Sequence, residues 1–332
     1  MKKFEELGER KIIEVIQNRL DIMPEMPIPF GDDVSAYDFG NGNLAVLKTD
    51  MLVDKTDVPL GMSIWQAARK AVVMNVSDFA SKGVKPLVML VSLGLPRKLT
   101  RKDIGEIGEG LNAGTREYNT YIIGGDTNEA SDLLISLSLF GMAKKNILML
   151  RSGAKPGDLL AITGFFGKTS AGLKILIDGF KAPQKIRKTL VESVLMPHAR
   201  LKEGLALGQT RAITASIDSS DGFAWSLHEI AKASNVGFLI NRLPTAKEVR
   251  RFATISKLDL SELTLYGGEE YELVVTVKPR LWEKAEKAVK KVGGKLSPIG
   301  KVTAEKLVIL EIDGKRRVVE PRGWEHFKSV RI

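Results

Sequence analysis

Ala212-Ile213-Thr214-Ala215-Ser216-Ile217-Asp218-Ser219-Ser220-Asp221-Gly222 is the stretch on which the reading of this chain turns. Residues 212–217 are small or β-branched and predict a strand. Asp218 stands where that strand ends, and Gly222 opens a helix expected to run toward 234. Asp218 and Asp221, three residues apart at this junction, can face one cation. Ser220 and the first N–H groups of the helix can meet a phosphate. A plain N-cap would use the same residue types, so the stretch alone leaves both readings open. The EF-hand spacing fails here.

Working outward, aspartates recur at comparable places: Gly31-Asp32-Asp33, Lys48-Thr49-Asp50, Asn75-Val76-Ser77-Asp78 and Gly124-Gly125-Asp126-Thr127. Each lies where an apolar run ends or a helix is expected to begin. With no Cys and three His, such carboxylates suit hard cations, and so Mg²⁺ and phosphate chemistry rather than zinc or redox chemistry. Gly124 and Gly125 follow the short strand 121–123 and are expected in a turn whose N–H groups face an anion; an ordinary glycine turn fits as well. Gly164-Phe165-Phe166-Gly167-Lys168-Thr169 resembles part of a P-loop, but the full pattern needs Gly at 162, which is Ile162. His198, His228 and His326 lack metal-ligand spacing and are expected at the surface or at helix ends.

The rest of the chain alternates in the same way. Strands are expected at 44–47, 87–95, 133–142, 159–163, 236–241, 272–277, 297–302 and 306–311. Helices are expected at 6–19, 65–79, 101–117, 168–178, 185–195, 199–207, 246–254 and 280–291. The Gly- and Pro-rich segment 151–158 marks a boundary. The expectation is an α/β (α+β) protein of two domains, 1–149 and 150–332. The net charge is +10, but basic residues are interleaved with acids, as in Lys284-Ala285-Glu286-Lys287, and aromatics are 6%. A solvated charged surface explains this better than a nucleic-acid face. No apolar run approaches the ~18 residues of a membrane span, and Met1 to Glu6 lacks a signal-peptide core. A cytoplasmic protein is expected.

Taken together, these motifs resemble the thiamine-monophosphate kinases, relatives of aminoimidazole ribonucleotide synthetase and selenophosphate synthetase. The resemblance runs from Gly31-Asp32-Asp33 through Arg151-Ser152-Gly153-Ala154 and Gly267-Gly268-Glu269-Glu270-Tyr271-Glu272-Leu273 to Pro321-Arg322-Gly323-Trp324-Glu325-His326-Phe327. It implies a two-domain synthetase-like fold, with the N-terminal domains pairing into a β-barrel across a homodimer. It implies ATP and several Mg²⁺ ions as cofactors and thiamine monophosphate as substrate, with thiamine diphosphate as product. Metal ligands would be Asp33, Asp50, Asp78, Asp126, Asp218 and Asp221, assisted by Thr49. Nucleotide contacts would be Gly125, Asp126, Arg151 and Ser220, with Arg151 able to stabilise charge. Substrate contacts would be Glu269, Trp324 and the neighbourhood of Asp57, where many relatives carry His. Ser219 stands where an aliphatic residue is usual, and Glu270 replaces a more common Asp. The alternatives are another ATP-dependent synthetase of the same superfamily, or a non-catalytic nucleotide- or nucleic-acid-binding protein.

Overall fold

The computed structural model describes residues 8–327. Helix α1 (Gly8–Gln17) carries Ile12, Ile13 and Ile16; Leu7 and the stretch Met1 to Glu6 lie outside the described residues. Strands β1 (Ser35–Asp38) and β2 (Asn43–Val53) follow, with the one-turn helix α2 (Asp54–Asp57) and then α3 (Ile64–Lys82). A capping box starts α3: Gln66 N–H donates to Ser63 Oγ, and the Gln66 side chain accepts from Ser63 N–H. Gly83, at φ 68°, ends it in the left-handed conformation. Next come β3 (Lys85–Leu95), α4 (Arg101–Glu117), β4 (Tyr121–Glu129) and β5 (Leu134–Lys144). The five strands form one sheet in the order β1-β2-β5-β3-β4.

The second half contains β6 (Leu159–Ile162), α5 (Lys168–Leu176), α6 (Gln184–Leu195), α7 (Leu201–Thr210), β7 (Ile213–Asp218) and α8 (Phe223–Ser234). It continues with β8 (Gly237–Ile240), α9 (Lys247–Ser256), α10 (Leu260–Leu265), β9 (Leu273–Val277), α11 (Trp282–Lys291), β10 (Ser297–Thr303), β11 (Val308–Ile312) and β12 (Lys315–Val318). Its seven strands are ordered β12-β11-β8-β10-β6-β9-β7. Among the described residues no helix is long and apolar enough to cross a membrane.

Helix α3 joins the two halves. Val72, Val73, Val76 and Phe79 on it share one buried core with Leu137 and Leu139 of β5 and with Leu273, Val275 and Val277 of β9. Gly204 on α7 lets that helix close on α3, since a Cβ there would lie 1.9 Å from the Ala80 carbonyl. A second core packs α8 on the seven-stranded sheet, and a third joins α5, α6, α9 and α10.

Two expectations need correction. The short strand at 44–47 is the eleven-residue β2, paired with β5 from Asn43↔Lys144 to Val53↔Leu134, so Thr49 and Asp50 lie inside a strand. Gly124-Gly125-Asp126-Thr127 is likewise not a turn: β4 runs straight through it, paired with β3 from Val88↔Tyr121 to Leu95↔Glu129. A Cβ on Gly125 would lie 2.0 Å from the Val91 carbonyl, so the glycine permits the close pairing that prolongs the strand. The short elements β1, α2, α10 and β12 carried no usable periodicity.

Candidate active site

Three of the expected aspartates converge from distant places. Carboxylate oxygens of Asp33, Asp78 and Asp218 lie within 4.8 Å of one another, and all three residues are buried. Asp33 comes from the loop before β1, Asp78 from the last turns of α3, and Asp218 from the end of β7. Ser77 Oγ donates to Asp218 Oδ2 at 2.6 Å, and Ser81 Oγ donates to Asp33 Oδ2 at 2.7 Å. One helix thus orients a carboxylate from each half of the chain.

Cations surround the cluster unevenly. Lys82 Nζ, fully buried, lies 2.7 Å from Asp32 Oδ1 and 2.7 Å from Asp33 Oδ2, and donates to the Ser216 carbonyl at 2.8 Å. Arg151 Nε donates to Asp33 Oδ1 at 2.7 Å, and its backbone N–H donates to Asp32 Oδ2 at 2.9 Å. Burial alone would raise the Asp33 carboxyl, but Arg151 and Lys82 hold it well below the ordinary range. Burial also pushes Asp218 up to about 7, with Asp33 adding to the effect. Asp78 is raised by burial and by Asp218 and Asp50, with Lys48 opposing. Lys48 Nζ sits 2.9 Å from Asp78 Oδ2 and 3.7 Å from Asp50 Oδ2. Burial would lower its ammonium, but Asp78 and Asp50 outweigh that and hold it above its usual value.

Not every expected ligand joins the trio. Asp50 reaches it through Lys48. Asp221 instead pairs with Arg10 of α1 at 3.3 Å, and Arg10 also meets Glu229 at 2.9 Å and lies 3.7 Å over the Trp225 ring. Thr49 points to the opposite face of β2 and donates to the Leu137 carbonyl at 3.1 Å. Asp126, on the exposed edge strand β4, pairs with Ser92 of β3 and has no side-chain hydrogen bond or ion pair among the described residues.

The expected substrate residues form a second group beside the first. Gly267 to Glu272 is stitched to the Asp218 loop: Glu269 N–H donates to Ser220 O at 2.6 Å, and Tyr271 N–H donates to Ser219 O at 2.9 Å. Glu269 and Tyr271 take φ of 62° and 51°, left-handed values that non-glycine residues rarely adopt. Glu269 pairs with the buried Lys70 Nζ, which also donates to the Asp57 carbonyl at 2.7 Å. His326 Nε2 lies 4.0 Å from Asp57 Oδ1, and the Trp324 and His326 rings meet edge to face at 5.7 Å. Trp324 N–H donates to the Asp221 carbonyl at 3.0 Å. The structure therefore brings Asp57, Glu269 and Trp324 together and adds His326, whose side chain is 35% exposed.

Lys48, Lys70, Lys82 and Arg10 escaped the sequence reading. For Lys70 and Lys82 a signal existed: charges within the Ala- and Val-rich run of α3, where a solvated face would not be apolar. The donor set fits a hard divalent cation. It is all oxygen and buried, and burial, with neighbouring carboxylates adding, is why Asp78 and Asp218 resist ionising.

Known proteins resemble this chain over nearly its whole length. Residues 31–143 match the family model of AIR synthase related protein, N-terminal domain, and residues 155–313 match its C-terminal domain. The thiamine-monophosphate kinase of Nitrosopumilus maritimus is 36% identical over 322 residues, covering 97% of this chain and 99% of the relative. That of Pyrococcus abyssi is 38% identical over 298 residues, covering 89% and 90%. A solved structure of AaThiL complexed with AMPPCP and TMP superposes with a TM-score of 0.85 at 26% identity, covering 98% of this chain and 99% of that one. The chain belongs to the AIR synthase related proteins and, within them, to the thiamine-monophosphate kinase family.

Proposed function

We propose that this chain transfers the γ-phosphoryl group of ATP to the phosphate of thiamine monophosphate, giving ADP and thiamine diphosphate. The observation that carries the reading is the meeting of Asp33, Asp78 and Asp218 from both halves of the chain at one point. Family membership and the AMPPCP and TMP held by a structural relative support it.

The acceptor phosphate has a second pKa of ~6, so at neutral pH it is largely ionised and needs no side-chain base. The obstacle is bringing two polyanions together, which calls for positioning and charge neutralisation. Divalent ions, Mg²⁺ in the simplest case, would be held by Asp33, Asp78 and Asp218, with Asp50, Asp126, Asp221 and Thr49 as further candidates, and would neutralise phosphate oxygens. Ser77 and Ser81 fix the direction of the carboxylates. Arg151 keeps Asp33 ionised and is the guanidinium proposed to meet a phosphate oxygen. Gly125, Asp126 and Ser220 are proposed nucleotide contacts. Glu269, aimed by Lys70, and Asp57 with His326 line the substrate side. Trp324 offers a ring face to a flat cationic ligand, worth about 0.5–2 kcal/mol.

Residues 1–149 would form the ATP- and Mg-binding, dimerising domain, and residues 150–332 the substrate- and nucleotide-binding domain. The outer face of the five-stranded sheet supports a homodimer: Leu47, Met51, Leu90 and Met142 are exposed there, opposite α3. Paired sheets would then close a barrel. A cytoplasmic setting suits a chain without cysteine.

The test is incubation with ATP, Mg²⁺ and thiamine monophosphate, alongside substrates of the sibling synthetases. Thiamine diphosphate is the expected product. Folded protein that makes none of it, or that turns over only a sibling substrate, contradicts the reading.

A further inference from the structure

Lys48 has no role in the chemistry above, yet it sits inside the carboxylate cluster. It shares the inner face of β2 with Asp50, because Thr49 between them points the other way. β2 pairs with β5 along its whole length, so the backbone at Lys48 is fixed. Its side chain is only 19% exposed. Its Nζ lies 2.9 Å from Asp78 Oδ2 and 3.7 Å from Asp50 Oδ2.

The other buried lysines are also tied to backbone carbonyls: Lys70 to Asp57 and Lys82 to Ser216. Among the described residues, Lys48 Nζ has carboxylates alone as partners. The nearby fixed cations are spent elsewhere, since Lys82 and Arg151 both serve Asp33. Lys48 is thus the protein's own cation for Asp78 and Asp50. A divalent ion binds oxygen at about 2.0–2.1 Å, so an ion on Asp78 Oδ2 would bring a second full positive charge close to the ammonium. The two cations therefore compete for that oxygen.

We infer that Lys48 is a built-in cation of the active site: its ammonium holds Asp78 Oδ2 and Asp50 in place of one divalent ion, and remains there when the nucleotide is bound. The remaining oxygens of Asp33, Asp78 and Asp218 are left for metal. The chain therefore works with one metal ion fewer than its carboxylates alone would gather. This rests on the proposed kinase site, and the test below separates the two.

The experiment counts bound Mn²⁺ per chain by electron paramagnetic resonance, with saturating thiamine monophosphate and a non-hydrolysable ATP analogue. Lys48→Ser and Lys48→Gln, the latter close in length to lysine and so safer for folding, are expected to bind one more Mn²⁺ than the parent. Lys48→Arg is expected to bind the parent's number. An unchanged or lower count in both neutral variants overturns the inference. Anomalous diffraction from the Mn²⁺-loaded parent needs no variant. Nζ within hydrogen-bond distance of Asp78 Oδ2 with no ion on that oxygen supports the inference, and an ion there with Lys48 withdrawn overturns it. A parent that binds no Mn²⁺ at all fails the metal-site reading itself and takes this inference with it.

Discussion

Asp218 and Glu270 are both buried acids raised above their ordinary range, and they are raised for different ends. Asp218 belongs to the carboxylate trio, so Asp218→Asn is expected to cut turnover by about 10²-fold or more. It keeps an acceptor for Ser77 Oγ and removes a charge from a crowded site, so the melting temperature should hold or rise. An equal loss of activity and stability would make Asp218 structural. Glu270 accepts from Thr169 N–H at 3.0 Å, and burial pushes it from 4.5 to about 7, with Lys168 opposing. Its folded state prefers the protonated form. The stabilising contribution is therefore fully present below pH 4.5 and is lost as pH rises through 7. Glu270→Gln should be more stable than the parent above pH 7, by up to about 3 kcal/mol, and the two should converge below pH 4.5. Urea melts at pH 4 and pH 8 check this, and an offset independent of pH contradicts it. At this scale the sequence exposed the aspartates most clearly where they stand in true breaks, as Asp33 does before β1 and Asp218 at the end of β7. It hid their partners, because a lysine reads as surface until the fold turns it inward.

Strand β4 and helices α3 and α7 show what limits reading at the level of elements. Helix α4 was legible to the residue, with a capping box of Thr100 and Asp103 and a charged face. Strand β4 was not. Gly124-Gly125 has the composition of a turn, and only the proximity of Val91 on β3 makes it a strand. Non-local pairing of this kind leaves no local signature. The approach of α7 to α3 at Gly204 was equally silent, though it packs the helix that carries Ser77 and Asp78. Gly204→Ala would force a Cβ against the Ala80 carbonyl, and should cost about 1–3 kcal/mol and weaken Mn²⁺ binding together. Gly105 on α4 is the control: a Cβ there meets nothing within 4 Å, so Gly105→Ala should stabilise by up to about 1 kcal/mol. Thermal melts and Mn²⁺ titration of both variants decide this; two variants of like stability would contradict it.

For the whole molecule, the five-stranded sheet has one face on α3 and the other open to solvent, with large apolar side chains on the open side. A second copy of this chain is the proposed cover. Sedimentation of the parent should give twice 36.4 kDa, and Leu90→Asp should shift it toward the monomer while the cleft residues stay in place. A monomeric parent contradicts the dimer. Two α/β halves could be read from the alternating pattern, but their relative placement could not. That placement makes the site, since it joins Asp33 and Asp78 to Asp218. The most direct test follows the γ-phosphoryl group. With labelled ATP, Mg²⁺ and thiamine monophosphate, the label should appear in the terminal phosphate of thiamine diphosphate, and folded Asp218→Asn should transfer it at least about 10²-fold more slowly. Label absent from thiamine diphosphate, or transfer by Asp218→Asn at the parent's rate, would contradict a site built between the two halves.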